Sequence, residues 1–208
     1  MTRTKKPNQQ PRVYAFIDSQ NLNVTVQKLG WKMDWRKFRE FLTQKFGVGT
    51  AFMFIGYVPE FEDMYLQLHE TGYAIVLKPT FDMTRPRPEL MEKSDKLRAH
   101  KPEQREEDKK PTKGNIDADL VLWAMKELPN YDKAIIVSGD GDFYSLVEYL
   151  EGKGKLLKLL TPSGHYSSLY NRYDEYVERL DQSRKELAYH DRKKRQAQQQ
   201  RGPRHDGQ

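Results

Sequence analysis

Residues 135–143 constrain the fold of this chain strongly, because a β-branched apolar run stops there abruptly at two aspartates. The apolar residues 135–137 have the continuous hydrophobic character of a strand covered on both faces. Gly139 and Gly141 allow a sharp turn after it, which keeps Asp140 and Asp142 close together. Neighbouring carboxylates repel each other, and a divalent cation between them relieves that repulsion. The segment therefore predicts a buried strand with an acidic site at its carboxyl end.

The same residues fit some other structures and exclude others. In an ordinary turn, Asp142 would cap the following helix, and this interpretation stays open. A dinucleotide-binding loop is excluded because Tyr144 replaces its third glycine and two acids would repel a pyrophosphate. An EF-hand loop is excluded because Tyr144 and Ser145 replace an oxygen ligand and the central glycine.

Composition limits the chemistry and the location of the protein. The chain has 208 residues and no cysteine, which excludes disulfides, thiolate nucleophiles and cysteine-ligated zinc. Such a composition is typical of a reducing compartment, so we expect a cytoplasmic protein. No apolar run approaches membrane-spanning length and the first residues lack an apolar signal segment, so we expect no membrane partner.

The formal charge of +6 is concentrated near the two ends of the sequence. Residues 1–12 contain four bases and no acid, and residues 177–208 contain nine bases and five acids, so residues 13–176 have a net charge of −2. We expect a folded domain at 13–182 between a disordered basic arm at 1–12 and a basic polar tail, also disordered, at 183–208. These flanks could hold a polyanion or merely improve solubility.

Apolar runs alternate with helical patterns along the domain. Five runs predict strands, at residues 13–17, 51–57, 73–77, 135–137 and 155–160. Asp34 is expected to cap one intervening helix, and Gly72 to close the helix at residues 59–71. Tyr170, Tyr173 and Tyr176 suggest a terminal helix. The alternation predicts an α/β fold whose strands pair in parallel through right-handed crossovers.

Residues 79–112 interrupt this alternation. They include five prolines, and 17 of these 34 residues are charged. Loops of this length inside a compact domain are usually functional or disordered. Because the segment leaves the carboxyl end of a strand, we expect a long charged insertion that could act as a flap over the site.

Two more aspartates lie at positions where a site is expected. Asp18 follows the first strand, and the carboxyl ends of parallel strands are where ligands bind. The Gly139-Asp140-Gly141 step also resembles one motif of haloacid-dehalogenase-type phosphatases. Such an enzyme needs a second aspartate two residues after its first, and that position is Gln20, which argues against this mechanism. Asp117 lies in the first turn of a helix, where an acid pairs favourably with the helix dipole. It is also aligned with the apolar stripe of that helix, and an acid in such a position tends to point at the sheet. Lys113, just before it, could hold a phosphate or fix a carboxylate.

Hydroxyl groups follow the last predicted strand. Thr161 and Ser163, together with Ser138 after the preceding strand, are candidate substrate contacts. His165 lies in the same loop, where a single histidine is more often a surface residue than a base.

Three motifs, in this order, resemble the LabA-like branch of the NYN domain family in the PIN-like nuclease superfamily. They are Phe16-Ile17-Asp18-Ser19-Gln20-Asn21, Lys113-Gly114-Asn115-Ile116-Asp117 and Ser138-Gly139-Asp140-Gly141-Asp142-Phe143. The similarity runs from about residue 13 to residue 180. It implies a PIN-like Rossmannoid fold with a central, mainly parallel, five-stranded sheet covered by helices on both faces.

The resemblance also implies a site and a reaction. The implied metal ligands and catalytic residues are Asp18, Asp117, Asp140 and Asp142, which would bind Mg²⁺ or Mn²⁺. Asn21 would order the site and contact substrate, and Lys113 would be a supporting basic residue. Trp123 lies where many members have a further polar residue, and Asp119 points elsewhere on its helix.

We therefore predict a metal-dependent ribonuclease acting on single-stranded RNA. A catalytically weak or inactive RNA-binding regulatory module of the same fold is the main alternative, and a phosphatase for small substrates is a weaker one. Single-stranded DNA as a partner and a homodimeric assembly stay open.

Overall fold

The computed structural model describes residues 10–79 and 116–190. The strands are β1 (Val13–Asp18), β2 (Val48–Tyr57), β3 (Tyr73–Pro79), β4 (Lys133–Val137), β5 (Leu156–Thr161) and β6 (Val177–Arg179). The helices are α1 (Ser19–Lys28), α2 (Trp35–Phe46), α3 (Glu62–Glu70), α4 (Ile116–Lys126), α5 (Tyr144–Gly152) and α6 (Arg184–Leu187). Short 3-10 helices lie at Pro59–Phe61, Gly141–Phe143, Ser168–Tyr173 and Leu180–Ser183.

The described strands form one sheet in the order β3-β2-β1-β4-β5-β6, and each neighbouring pair is parallel. The chain therefore moves outward from β1 to β3, returns to the centre, and moves outward again from β4 to β6. The reversal places β1 beside β4, where Ile17 pairs with Val137. In open parallel sheets, ligands bind in the crevice at the carboxyl ends of the strands on either side of such a reversal.

The predicted parallel α/β architecture is confirmed, but the sheet formed by the described residues has six strands rather than five. The additional strand, β6, is only three residues long and pairs with the end of β5. The predicted terminal helix was wrong, because a 3-10 helix (Ser168–Tyr173) and then β6 occupy that part of the chain. Tyr170 and Tyr173 belong to a 3-10 helix, in which side chains three residues apart lie on the same side and can both be buried.

The hydrophobic core has two halves, one on each face of the sheet. Alternation along β1 supplies both, since Ala15 and Ile17 belong to the half covered by α1, α2 and α6, whereas Phe16 belongs to the half covered by α4 and α5. Helices on both faces exclude water from the central strands. This explains why residues 135–137 form a continuous apolar run without polar alternation.

Two local predictions about helix ends are confirmed. The Asp34 carboxylate caps α2 by accepting hydrogen bonds from the backbone N–H groups of Arg36 and Lys37 at 3.2 and 3.3 Å. Gly72 ends the turn after α3 with a φ of 97°, a conformation that costs glycine little. Both signals depend on neighbours within a few residues, which is why the sequence alone revealed them.

The folded domain extends beyond the predicted boundary at residue 182. Leu187 in α6 is fully buried, and its carbonyl accepts a hydrogen bond of 2.8 Å from the Asp34 backbone N–H. Ala188 forms an antiparallel bridge with Met33. Residues 183–190 are therefore part of the domain rather than of a disordered tail, because their apolar side chains cover α2.

Several predictions concern parts of the chain outside the described residues. These are the disorder of residues 1–9 and 191–208, the insertion and flap after Pro79, and the role of Lys113. No helix within the two described ranges is both long enough and apolar enough to span a membrane.

Candidate functional site

Asp18 lies at the junction of β1 and α1, and its carboxylate is only 5% exposed. One carboxylate oxygen caps α1 by accepting a hydrogen bond of 3.0 Å from the Asn21 backbone N–H. The other accepts a hydrogen bond of 3.1 Å from the Ser138 hydroxyl. This second bond follows from the sheet register, because Ile17 pairs with Val137 and the next residues leave the sheet side by side.

Ser138 connects the first acid with the third. Its buried hydroxyl donates to Asp18 and accepts a hydrogen bond of 3.1 Å from the backbone N–H of Asp140. Asp140 in turn caps the 3-10 helix Gly141–Phe143, since its carboxylate accepts from the Asp142 N–H at 3.1 Å. The capping acid is therefore Asp140 and not Asp142, which lies two residues further along, inside the 3-10 helix.

Three of the predicted acids act on one another electrostatically. Burial raises the pKa of the Asp18 carboxyl, and the hydrogen bonds from Asn21 and Ser138 lower it in part. The negative charges of Asp117 and Asp140 then raise the pKa of Asp18 further. Asp117 lies half-buried in the first turn of α4. Residues from β1, from α4 and from the turn after β4 thus form one region of concentrated negative charge.

Within the described ranges, ion pairs do not compensate the charges of Asp18, Asp140 and Asp142. Among residues 10–79 and 116–190, no lysine or arginine forms an ion pair with Asp18, Asp140 or Asp142. Asp119 behaves differently, because its carboxylate pairs with the Lys78 ammonium at 3.0 Å. Its position apart from the other acids agrees with the face of α4 that the sequence assigned to it.

Asn21 ties the first turn of α1 to the loop after β4. Its side-chain oxygen accepts a hydrogen bond of 3.0 Å from the Gly139 backbone N–H, while its own backbone N–H donates to Asp18. A single residue thereby fixes both strand ends that supply acids. This geometry is what an ordering role for Asn21 requires.

Position 141 requires glycine because there is no room for a side chain, and not because of its backbone conformation. Neither Gly139 nor Gly141 has a positive φ, although the sequence suggested that conformational freedom was their purpose. A Cβ atom on Gly141 would lie 2.5 Å from the Ser167 hydroxyl oxygen, which is too close for any real contact. The Ser167 backbone N–H also donates to the Gly139 carbonyl at 3.0 Å. The loop after β5 is thus packed directly against the acidic turn.

Tyr170 is hydrogen-bonded to the backbone of the acidic turn, a role that sequence reasoning missed. Its buried hydroxyl donates a hydrogen bond to the backbone carbonyl of Asp140. Burial raises the pKa of the Tyr170 phenol, and the charges of Asp140 and Asp142 raise it further. The only sequence signal was a tyrosine closely following a hydroxyl-rich loop at a strand end.

The hydroxyl groups predicted as substrate contacts are engaged within their own loop. Thr161 and Ser163 are buried, and the Thr161 hydroxyl donates to the Ser163 carbonyl at 3.0 Å. The Ser163 hydroxyl accepts from the His165 backbone N–H at 3.1 Å. These bonds shape the loop that presents His165 to the cleft, and direct contact of the two hydroxyls with substrate stays a prediction.

An open cleft of about 760 Å³ lies over the acidic turn. Asp140 and Asp142 line it together with residues from the first turn of α1, the loop after β4 and the segment after β5, namely Asn21, Gly139, Gly141, Gly164, His165, Tyr166, Ser167 and Leu169. The cleft is wide and shallow, which suits a polymer chain better than a small enclosed molecule.

The donor set is suitable for a hard divalent cation, but the described ligands are not gathered around one point. Carboxylate oxygens are the ligands that Mg²⁺ and Mn²⁺ prefer, and the mutual repulsion felt by Asp18 is what such an ion would relieve. In the described part of the chain, no three histidine, cysteine, aspartate or glutamate side chains are close enough together to hold a metal ion. The four-aspartate metal site therefore stays a prediction.

Comparisons with known proteins agree with the fold and the motifs. A family model described as the NYN domain matches residues 12–181. The low amplitude and bright protein LabA of Synechococcus elongatus is 25% identical over 178 residues, which cover 82% of this chain and 84% of LabA. A solved structure of a protein of unknown function from Vibrio parahaemolyticus has a TM-score of 0.61 and 20% identity, and covers 89% of this chain and 100% of that chain. At that identity, the structural similarity supports the fold alone.

Proposed function

Because the chain belongs to the NYN domain family of the PIN-like nuclease superfamily, we propose that it hydrolyses phosphodiester bonds in single-stranded RNA with the help of Mg²⁺ or Mn²⁺. One observation in particular supports this proposal. Asp18, Asp117 and Asp140 come from three different parts of the fold, and the negative charges of Asp117 and Asp140 raise the pKa of Asp18. Nothing in the packing of an α/β domain requires such a concentration of charge at the ends of its central strands.

The roles of the residues follow from their positions. Asp18, Asp117 and Asp140 would hold the ion, and Asp142 would extend the set from the exposed side of the cleft. The bound ion would lower the pKa of a water molecule and stabilise negative charge on the phosphate oxygens. Ser138 and Asn21 would keep the first and third acids in fixed positions through their hydrogen bonds.

RNA cleavage by purified protein tests the proposal directly. Single-stranded RNA, single-stranded DNA and a small phosphomonoester would each be incubated with Mn²⁺ or Mg²⁺, with and without a chelator. We expect RNA to be cleaved, the chelator to abolish cleavage, and Asp140→Asn to reduce the rate by a factor on the order of 10² or more, since several kcal/mol of metal-assisted stabilisation are lost.

Asp174→Asn is a matched control, because Asp174 is an exposed aspartate that does not line the cleft. The control variant should cleave RNA at the wild-type rate. Equal rates for Asp140→Asn and Asp174→Asn would contradict the proposal, as would cleavage that survives the chelator. Circular dichroism of each variant would establish that the fold is intact.

A non-catalytic RNA-binding regulator is the second candidate function. The observation in its favour is that the described carboxylates do not converge on a single point. An RNA-binding module needs the scaffold and the cleft but not a metal cluster. RNA binding without turnover in either metal would support this function and exclude the nuclease.

A further inference from the structure

A second cleft lies beside the acidic one, on the face of the sheet covered by α1 and α2. It has a volume of about 520 Å³ and extends over the carboxyl half of β2, between α1 and α3. Met53 and Ile55 of β2 form part of its apolar lining, and Trp35 contributes from α2. Binding sites for small organic groups typically have volumes of this order, apolar walls and a few polar contacts.

An exposed aromatic ring marks the rim of this cleft. Phe61 lies in the turn before α3, lines the cleft and is 51% exposed. Tyr65, one turn later, is held in place because its hydroxyl accepts from the Val58 backbone N–H at 2.9 Å and shares its proton between the carbonyls of Gly56 and Val58, both at 3.3 Å. The loop that presents Phe61 is thus fixed by hydrogen bonds. An exposed aromatic ring on such a loop is suited to stacking against a planar ring.

Polar amides line the opposite wall. Gln20 and Asn23 both belong to α1, and the Asn23 side-chain oxygen already accepts a hydrogen bond of 3.1 Å from Gln27. The NH₂ group of Asn23 can donate to a ligand, its oxygen keeps a second lone pair, and Gln20 offers both a donor and an acceptor. Amide groups of this kind match the mixed donors and acceptors on the edge of a nucleobase.

The cleft shares its boundary with the acidic site. Ser19 and Gln20 line it and directly follow Asp18, and Ile116 lines it and directly precedes Asp117. The Ser19 hydroxyl donates to the Phe54 carbonyl at 2.6 Å, which fixes the start of α1 against β2. A polynucleotide whose phosphate lies at the acids therefore has a neighbouring base within reach of this cleft.

We propose that this cleft binds an unpaired base of the substrate RNA next to the reacting phosphate, by stacking on Phe61 and hydrogen bonding to Gln20 and Asn23. The inference rests on the proposed function for the identity of the ligand. It adds a reason for single-stranded substrate, because a base held in a duplex could not turn into the cleft.

Equilibrium binding without turnover tests the proposal. The full chain would be titrated into a fluorescent RNA hexamer in the presence of a chelator, and binding followed by fluorescence anisotropy. We expect Phe61→Ala to weaken binding by a factor on the order of ten, because the stacking contact is lost. Phe61→Tyr keeps the ring and should bind like the wild type, and Gln20→Ala should weaken binding less than Phe61→Ala does.

Leu66→Ala is the matched control, since Leu66 is an apolar residue of α3 that is 62% exposed and does not line the cleft. A hexamer of the same phosphate charge with abasic sites separates base recognition from charge attraction. It should bind the wild type more weakly than the intact hexamer and should be insensitive to Phe61→Ala.

The possible results separate this proposal from the nuclease assignment. The base site would be overturned if Phe61→Ala, Leu66→Ala and the wild type bound RNA with equal affinity. It would also be overturned if the wild type bound abasic RNA as tightly as intact RNA, or bound no RNA. These conclusions hold whatever the cleavage assay shows. Phe61-dependent binding without Asp140-dependent cleavage would instead support the base site and overturn the nuclease. Unchanged RNA binding with a lowered unfolding temperature in Phe61→Ala would assign the cleft to packing within the chain.

Discussion

Asp18 shows how individual residues at this site are balanced between structure and chemistry. Two hydrogen bonds favour its carboxylate form, but burial and the neighbouring acids oppose that form more strongly, so the pKa is raised. An aspartate selected only for capping α1 would gain from being exposed and near positive charge. The environment of Asp18 therefore costs stability at neutral pH, as expected of a group retained for function.

We predict that Asp18→Asn changes how stability depends on pH. Because the pKa of Asp18 is raised in the folded state, the folded protein binds the proton more tightly than the unfolded chain does. Stability is therefore lost as pH rises from the unfolded pKa through the folded one. The asparagine variant cannot ionise and should gain stability relative to the wild type between mildly acidic and neutral pH. Urea unfolding of both proteins across this range measures the difference.

Asp174→Asn provides the comparison for this experiment, because Asp174 is exposed. It shows how much of any difference comes simply from replacing an exposed aspartate by asparagine. A difference between Asp18→Asn and the wild type that is constant across the range would show that the charge of Asp18 is not opposed by its surroundings.

Gly141 yields a prediction about space. Gly141→Ala should destabilise the protein by about 1–3 kcal/mol, because the new methyl group would meet the Ser167 hydroxyl at 2.5 Å. Gly152→Ala is the control, since Gly152 ends α5 with nothing within 4 Å of an added Cβ. The control should be neutral or stabilising by about 0.4–1 kcal/mol in the same urea titration.

Adding Ser167→Gly to Gly141→Ala should restore part of the lost stability, because the serine side chain is the obstacle. Because the Ser167 hydroxyl also accepts a hydrogen bond from the Leu169 backbone N–H, Ser167→Gly alone is the reference for the double variant. If Gly141→Ala costs as much in the Ser167→Gly background as in the wild type, the cost comes from the turn itself rather than from Ser167.

The terminal elements β6 and α6 extend the sheet and cover α2. Both are very short, and neither has an apolar pattern long enough to be recognised in the sequence. Their stability depends on partners far away along the chain. Lys45 in α2 pairs with Glu178 of β6, and Lys37 donates to the Ala188 carbonyl at 2.9 Å. Helix α2 thereby holds the C-terminal part of the described domain at two points.

We predict that Leu187→Ala lowers the free energy of unfolding by about 2–5 kcal/mol, the usual cost of a cavity left by a buried leucine. Leu187 is fully buried, although it lies in the region that the sequence assigned to a tail. The exposed neighbour Lys185 is the control, and Lys185→Ala should change stability by no more than about 0.5 kcal/mol. Equal urea midpoints for the two variants would contradict the assignment of α6 to the core.

At the scale of the whole molecule, the order of the strands brings the acids together. The reversal between β3 and β4 places the carboxyl ends of β1 and β4 side by side, and α4 begins near the same edge. Asp18 and Asp140 are distant in sequence but are connected through one serine hydroxyl. The site is therefore a property of the topology, and a bound cation would stabilise the folded state as a whole.

We accordingly predict that Mn²⁺ or Mg²⁺ raises the unfolding temperature of the wild type. An ion present at a hundred times its Kd adds about 2.7 kcal/mol, which corresponds to a rise of roughly 5–10 °C for a domain of this size. Asp140→Asn should lose most of this rise, Asp174→Asn should keep it, and a chelator should reverse it. Differential scanning fluorimetry measures all of these effects, and an equal rise in both variants would argue against a metal at the acids.

The sequence by itself determined the features that depend on neighbouring residues. The apolar runs predicted five of the six strands and placed Asp18 and Asp140 at strand ends, while Asp34 and Gly72 marked helix ends. Parallel pairing followed from the alternation of strands and helices. In each case the physical cause is local, since burial on both faces or a cap leaves its pattern within a few residues.

Only the tertiary structure decided which distant residues meet. The strand β6 has three residues and is stabilised by β5, so no pattern in the sequence could reveal it. The contact of Ser167 with Gly141, the bond from Tyr170 to Asp140 and the cleft beside Phe61 likewise join segments brought together by strand order. Local spacing encodes what a segment forms, whereas the packing of the whole sheet determines what it touches.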